Sequence, residues 1–187
     1  MKPTMSSQEQ ALFISFVACA AQYFEYGLGG STVLAARHVQ RGVSGVDSSF
    51  EWVKSVSDEI SQHGCEVSLR HVDVGPTGTW GNPVGTHYRD RFPRYHRAID
   101  DFDVRNIGFV FVDGRFRVAC ALYAASVCQL GVPVGVHDYF VRPEYSILQK
   151  RLKLIARSGS LAIFVRDPSI SGRVLLRSID EFAFDPR

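Results

Sequence analysis

The segment Phe24-Glu25-Tyr26-Gly27-Leu28-Gly29-Gly30-Ser31-Thr32 packs a carboxylate, three glycines and two small hydroxyl side chains into nine residues. Glycines let a backbone approach a ligand closely, and a helix that starts there presents free N–H groups. Asp47 follows about 20 residues after Glu25, the separation at which an acid ending a second strand reaches both hydroxyls of a ribose. Together the two features point to a nucleoside-bearing cofactor. Asp73, Asp113 and the pair His137-Asp138 each follow an extended apolar or alternating run. Histidine is a general base near neutral pH, and two neighbouring carboxylates bind hard divalent cations. His137 also has a plainer reading, as a strand-end residue hydrogen-bonded to backbone.

The elements that must position these residues are legible as alternating patterns. A capping box at Ser6-Ser7-Gln8-Glu9 opens a helix over about 7–20, behind a loose terminus at 1–5. Gln22–Tyr26 reads as a strand, Ser31–Val39 as a helix and Val43–Val46 as a short strand ending in Asp47. A second capping box, Ser48 to Glu51, starts a helix with Phe50, Val53 and Ile60 on one face, closed by Gly64. Glu66–Val72 alternates as a strand, and a Gly/Pro-rich loop runs over 74–86. Ile107–Val112 is continuously apolar, as a strand buried on both faces must be. Phe116–Leu130 reads as a helix, Val134–Val136 as a strand, Glu144–Arg157 as a helix, and Leu161–Val165 with Val174–Ile179 as a terminal hairpin. This alternation predicts an α/β fold. It is a three-layer sandwich with a mainly parallel seven-stranded sheet and a C-terminal antiparallel hairpin, forming one domain over 1–187. Ligands in such sheets bind at the carboxyl ends of the strands, where the residues above lie.

Composition narrows the classes. The 187 residues are 45% hydrophobic and 21% charged, which excludes disorder, collagen and coiled coil. A net charge of +2 is too small for a dedicated nucleic-acid binder. Arg supplies 17 of the 21 basic residues, a side chain suited to carboxylates and phosphates. Cys19, Cys65, Cys120 and Cys128 show no CxxC spacing, so reduced thiols and a cytoplasmic setting are expected. The apolar stretch Ala11–Ala21 follows Lys2 like a signal peptide. It contains too few residues to span a bilayer, follows Glu9 and runs straight into a strand, so it reads as a buried helix. No membrane association is expected.

The acid-x-Gly-x-Gly pattern at Glu25–Gly29, with Asp47 and the late hairpin, resembles the class I S-adenosylmethionine-dependent methyltransferases, a Rossmann-like superfamily. The resemblance covers about residues 20–180. Dinucleotide enzymes want a third glycine where this chain has Thr32, which disfavours an NAD-linked oxidoreductase. The resemblance implies that Glu25 and Gly27–Gly29 sit against the methionine part of S-adenosylmethionine, with Ser31 and Thr32 also binding the cofactor. It implies that Asp47 holds the ribose, that Asp73 reaches the adenine amino group, and that Asp113 lies between cofactor and substrate. Val110-Phe111-Val112-Asp113-Gly114-Arg115-Phe116-Arg117 is similar to a segment of small-molecule O-methyltransferases, in which Asp-His follows Asp-Gly and helps to bind a metal. Arg115-Phe116 stands in that place here. It is unlike the Asn/Asp-Pro-Pro-aromatic motif of DNA amino-methyltransferases.

The resemblance therefore implies methyl transfer to a small-molecule or sugar acceptor, at oxygen, with His137, Asp138, Asp113 and Arg115 as the catalytic group. The alternative is a non-catalytic domain that binds S-adenosylmethionine or another nucleoside. Two mechanisms stay open. A divalent metal bound by Asp113 and Asp138 is the less favoured, since Arg115 would set a guanidinium beside a dication; His137 as a metal-free base is preferred, and no residue is assigned to a metal. The basic, aromatic stretch His87–Arg97 reads first as a solvated face and second as a contact for an acidic acceptor. Trp80, in the long loop, is placed to cover cofactor or acceptor. Expected partners are the small acceptor alone, with no nucleic acid, as a monomer or homodimer.

Overall fold

The computed structural model describes residues 1–187. In chain order the main elements are α1 (Ser7–Val17), β1 (Gln22–Tyr26), α2 (Gly30–Ala36), β2 (Gly42–Asp47), α3 (Phe50–Ile60) and β3 (Glu66–His71). They continue with α4 (Pro93–Arg97), β4 (Ile107–Val112), α5 (Arg117–Val127), β5 (Val134–Val136), β6 (Leu152–Ser158), β7 (Leu161–Arg166) and α6 (Gly172–Phe182). The seven strands form one sheet in the order β3-β2-β1-β4-β5-β7-β6. The five strands β1–β5 pair in parallel, and β7 runs antiparallel to both β5 and β6. Strand order reverses between β1 and β4, so a crevice opens beyond their carboxyl ends.

Period-2 alternation sends successive side chains to two separate cores. Tyr23, Val43, Phe109 and Phe111 face α1, α2 and α3. Phe24, Tyr26, Val110 and Val112 face α4, α5 and α6. On the first face Phe13 of α1 inserts edge-on among aromatic rings, with centroids 5.8 Å from Tyr23, 5.9 Å from Phe109 and 4.8 Å from Phe111. No helix is long and apolar enough to cross a membrane.

Four local expectations are corrected. Residues 144–157 are not a helix: Pro143–Lys150 is a 3₁₀ segment, and β6 follows. In β6, Leu152, Leu154 and Ala156 point inward while Lys153, Ile155 and Arg157 are exposed, a period-2 pattern that overrides the helix-forming Leu, Lys and Arg. Residues 174–179 are part of α6, whose buried Leu175, Ser178 and Ile179 lie three and four apart. The antiparallel hairpin is therefore β6–β7, turning at Gly159-Ser160. The amino terminus is packed rather than loose. Met5 is buried, the Met1 amino group pairs with Glu59 at 2.5 Å, and a side chain at Gly30 would strike the Lys2 backbone. Finally, Ser49 rather than Ser48 caps α3, accepting from Trp52 N at 3.2 Å, while Ser48 Oγ donates to Gly81 O.

Glu9 ties the first helix to the late hairpin. Its carboxylate accepts from Ser6 N at 2.8 Å, Ser160 N at 2.7 Å and Ser160 Oγ at 2.8 Å. Burial alone would raise its pKa, but the hydrogen bonds from Ser6 and Ser160 outweigh that and lower it from 4.5 to about 2. The stability it adds is thus present above pH 4.5 and lost as pH falls toward 2. Glu9→Gln is expected to cost about 1–3 kcal/mol at neutral pH. Denaturant unfolding across pH should show a shallower acid loss in the variant than in the wild type.

Candidate active site

A cleft of about 1080 Å³ opens at the carboxyl ends of β1, β2, β4 and β5. Its first wall is mostly backbone. Gly27 has a left-handed φ of +88°, and a Cβ there would run into the Gly114 Cα, so the ends of β1 and β4 are pressed together through two glycines. Gly29 instead has open space where a Cβ would go.

Glu25, Ser31 and Thr32 stand behind this loop, buried, and do not line the cleft. Glu25 accepts from Ser31 Oγ and, at 2.6 Å, from Thr32 Oγ1, which accepts in turn from Gly29 N at 2.8 Å. Burial pushes the Glu25 carboxyl up to about 8, against the hydrogen bonds from the two hydroxyls. These three residues position the loop from below. Asp47 does line the cleft. Its two oxygens accept from Leu28 N and Ser49 N, both at 2.9 Å, and burial raises its pKa despite those bonds. Trp52 lines the same wall and donates its indole N–H to Leu28 O.

The second wall is made of charged side chains. His137 Nδ1 lies 3.2 Å from Asp113 Oδ1 and 3.8 Å from Asp138 Oδ1. Burial alone would lower the His137 pKa, but the Asp113 hydrogen bond and the charges of Asp113 and Asp138 outweigh it and raise the value above 6.5. Arg117, in the first turn of α5 and 3% exposed, joins the ends of β4 and β5. Its Nε donates to Gly114 O at 3.0 Å, Nη1 to His137 O at 2.7 Å and to Asp138 Oδ2 at 3.2 Å. Its Nη2 contacts Asp113 O and Asp113 Oδ1, each at 3.0 Å. The structure thus brings Asp113, Arg115, His137 and Asp138 to one wall of the cleft, with Arg117 and Arg142 beside them. Arg117 is not among the residues that the strand-end pattern marks. Its signal was the i,i+4 spacing from Asp113 together with the apolar neighbours Phe116 and Val118, where a solvated Arg is out of place.

Asp113, His137 and Asp138 offer ligand atoms within 4.8 Å of one another. Arg117 already bonds one oxygen of each carboxylate, so a resident dication would share both acids with a permanent cation. The donor set does not fit a metal ion on these grounds.

Asp73 is not in the cleft. It accepts from Gly75 N at 2.8 Å and pairs with Arg91 at 2.5 Å on the surface. The stretch His87–Arg97 does not reach the cleft either: Phe92, Tyr95 and His96 are buried in the core, and Arg89 stacks on Phe184. The loop through Thr77–Asn82 does border it, strapped down by Ser48 Oγ on Gly81 O at 3.1 Å and by Arg115 Nη1 on Asn82 Oδ1 at 2.9 Å. Trp80, at its tip, is 80% exposed.

The two glycines of the loop make separable predictions. Gly27→Ala should lower the melting temperature by several degrees through the clash with Gly114. Gly29→Ala should leave it unchanged. Equal melting temperatures for both variants would show that the β1–β4 contact is not tight.

No protein-family model and no curated protein sequence matches this chain. Solved structures do. A methyltransferase-like protein from Silicibacter pomeroyi is 30% identical, covering 99% of this chain and 98% of its own, with a TM-score of 0.88. An O-methyltransferase from Bacillus cereus, solved with S-adenosylhomocysteine, is 15% identical over 88% of this chain and 84% of its own, with a TM-score of 0.57. An RNA methyltransferase from Salinibacter ruber, also solved with S-adenosylhomocysteine, is 14% identical over 87% and 91%, with a TM-score of 0.51. The last two share the fold alone, and the second shows that this fold does not by itself exclude a nucleic-acid acceptor. The end-to-end match at 30% identity, on the seven-stranded sheet described above, is decisive: the chain belongs to the class I S-adenosylmethionine-dependent methyltransferases.

Proposed function

We propose that the protein transfers a methyl group from S-adenosylmethionine to a hydroxyl oxygen of a small-molecule or sugar acceptor. The observation that carries this reading is the Asp113–His137 pair at 3.2 Å, set in the cleft next to the glycine loop, whose Gly27 packs against Gly114. When bound, S-adenosylmethionine supplies an electrophilic methyl on a sulfonium.

Asp47 and the loop Gly27–Gly29 hold the cofactor, with Glu25, Ser31 and Thr32 fixing the loop's shape. Asp47 keeps lone pairs for ribose hydroxyls, since each oxygen accepts only one backbone N–H. On the acceptor side, neutral His137 donates Nδ1–H to Asp113, which leaves Nε2 as the atom that takes the hydroxyl proton. Asp113 orients the ring and stabilises the imidazolium that forms. Methyl transfer is an in-line displacement, so the remaining contribution of the chain is to align nucleophile and methyl and to exclude water.

Three outcomes are expected. Asp47→Asn should weaken S-adenosylhomocysteine by about tenfold or more in calorimetry, the scale of one hydrogen bond to a charged group. His137→Ala should reduce kcat by roughly 10²–10⁴-fold with cofactor affinity unchanged. The wild-type rate should resist EDTA and rise with pH through a value above 6.5, the direction set by the Asp113 contact. Tight cofactor binding with no transfer to any hydroxyl acceptor would favour the non-catalytic alternative. Activity abolished by EDTA would overturn the metal-free assignment.

A further inference from the structure

The wall beside His137 holds half-buried guanidinium groups with N–H donors that the protein itself leaves unused. Arg117 is fully engaged by Asp113 and Asp138, and Arg187 bonds Asp185 at 2.6 Å. Arg142 reaches only Asp138, at 3.6 Å, an acid already held by Arg117. Arg115 has no carboxylate within ion-pair distance, and its one side-chain partner is the neutral Asn82 amide oxygen. The Nε of Arg115, the Nε of Arg142 and the Tyr145 hydroxyl are all buried without a hydrogen-bond partner. The Arg142 guanidinium lies 5.9 Å over the Tyr145 ring. Burial, and after it the charge of Arg117, push the Arg115 guanidinium below its usual pKa. The Tyr145 phenol is raised by burial, while Arg117, Arg142 and Arg115 oppose that rise. Unpartnered buried donors are costly, and a cluster of them calls for an external acceptor.

We infer that the methyl acceptor carries an oxyanion, a carboxylate or a phosphate, and that Arg115 and Arg142 bind it beside His137. This rests on the methyl-transfer reading for the word acceptor, but not for the anion site itself. Arg forks match both oxyanions in geometry, and a charge-assisted pair at a half-buried site fixes a ligand's orientation as well as its affinity. A hydroxyl on the same small molecule would then be carried to the His137 side of the cleft. The cationic stretch His87–Arg97, outside the cleft, takes no part.

The test follows the Arg Nε–Hε resonances of ¹⁵N-labelled protein during titration with benzoate and with inorganic phosphate. Ionic strength is held constant, and S-adenosylhomocysteine is either present or absent. The expected result is saturable movement of the Arg115 and Arg142 resonances by at least one of the two anions. Binding should be about tenfold weaker or more in Arg115→Gln and Arg142→Gln, with S-adenosylhomocysteine affinity within about twofold of wild type. The anion that saturates more tightly distinguishes a carboxylate from a phosphate acceptor. The inference is overturned if neither anion produces saturable movement, or if both variants bind the anions as the wild type does. It is also overturned if Arg115→Gln loses S-adenosylhomocysteine affinity, because the guanidinium then serves the cofactor's own carboxylate. Wild-type protein that fails to bind S-adenosylhomocysteine would end the methyl-transfer reading, while the titration of the protein alone would still decide the anion site.

Discussion

The guanidinium of Arg117 is the contact on which the charged wall of the cleft depends. It is nearly inaccessible, yet it finds one acceptor for Nε and two for each terminal nitrogen, drawn from Asp113, Gly114, His137 and Asp138. Four hydrogen bonds and an ion pair to Asp113 Oδ1 compensate the guanidinium, the condition under which a buried cation is tolerated. Each of those acceptors belongs to the end of β4 or β5. The same interaction that neutralises Arg117 therefore sets the distance between Asp113 and His137. Asp138 itself takes a left-handed conformation, φ 58°, which Asp adopts more readily than most side chains. Phe116, immediately before Arg117, is likewise left-handed at φ 56°. Its N–H and that of Arg117 donate to Pro186 O and Arg187 O, so the carboxyl-terminal segment completes the helix end.

The two walls of the cleft use different materials. On the glycine-loop side the surface is backbone, shaped by glycines that bring β1 against β4 and by the buried Glu25 carboxyl, which fixes the loop through two hydroxyls. On the side of the β4 and β5 ends the surface is charged side chains anchored to one another. The loop bearing Trp80 bridges them, bonded to Ser48 on one side and to Arg115 on the other.

What could be read from the sequence followed this division. The glycine loop, Asp47, Asp113 and His137-Asp138 were legible because strand ends are local features, marked by an apolar run followed by an acid or a glycine. Arg117 was not, because its meaning lies in β5, about 20 residues away in the chain. Asp73 also ends a strand, but β3 is the edge strand, and the side chain turns to Gly75 and Arg91 instead of the cleft. The exchange of strand and helix after Pro143 has a similar cause. The period in Leu152–Ser158 was masked by helix-forming residues on an edge strand, and that of α6 by a run in which Val174, Leu175 and Leu176 read equally well as extended chain.

In the proposed mechanism Arg117 and Asp113 hold His137 as a base with its proton on Nδ1. Two-dimensional ¹⁵N–¹H spectra of the imidazole, recorded across pH on the wild type, test it most directly. The expected spectra show the Nδ1–H tautomer in the neutral form and a titration midpoint above 6.5, the direction given by the Asp113 hydrogen bond. An Nε2–H tautomer, or a midpoint below that value, would contradict it.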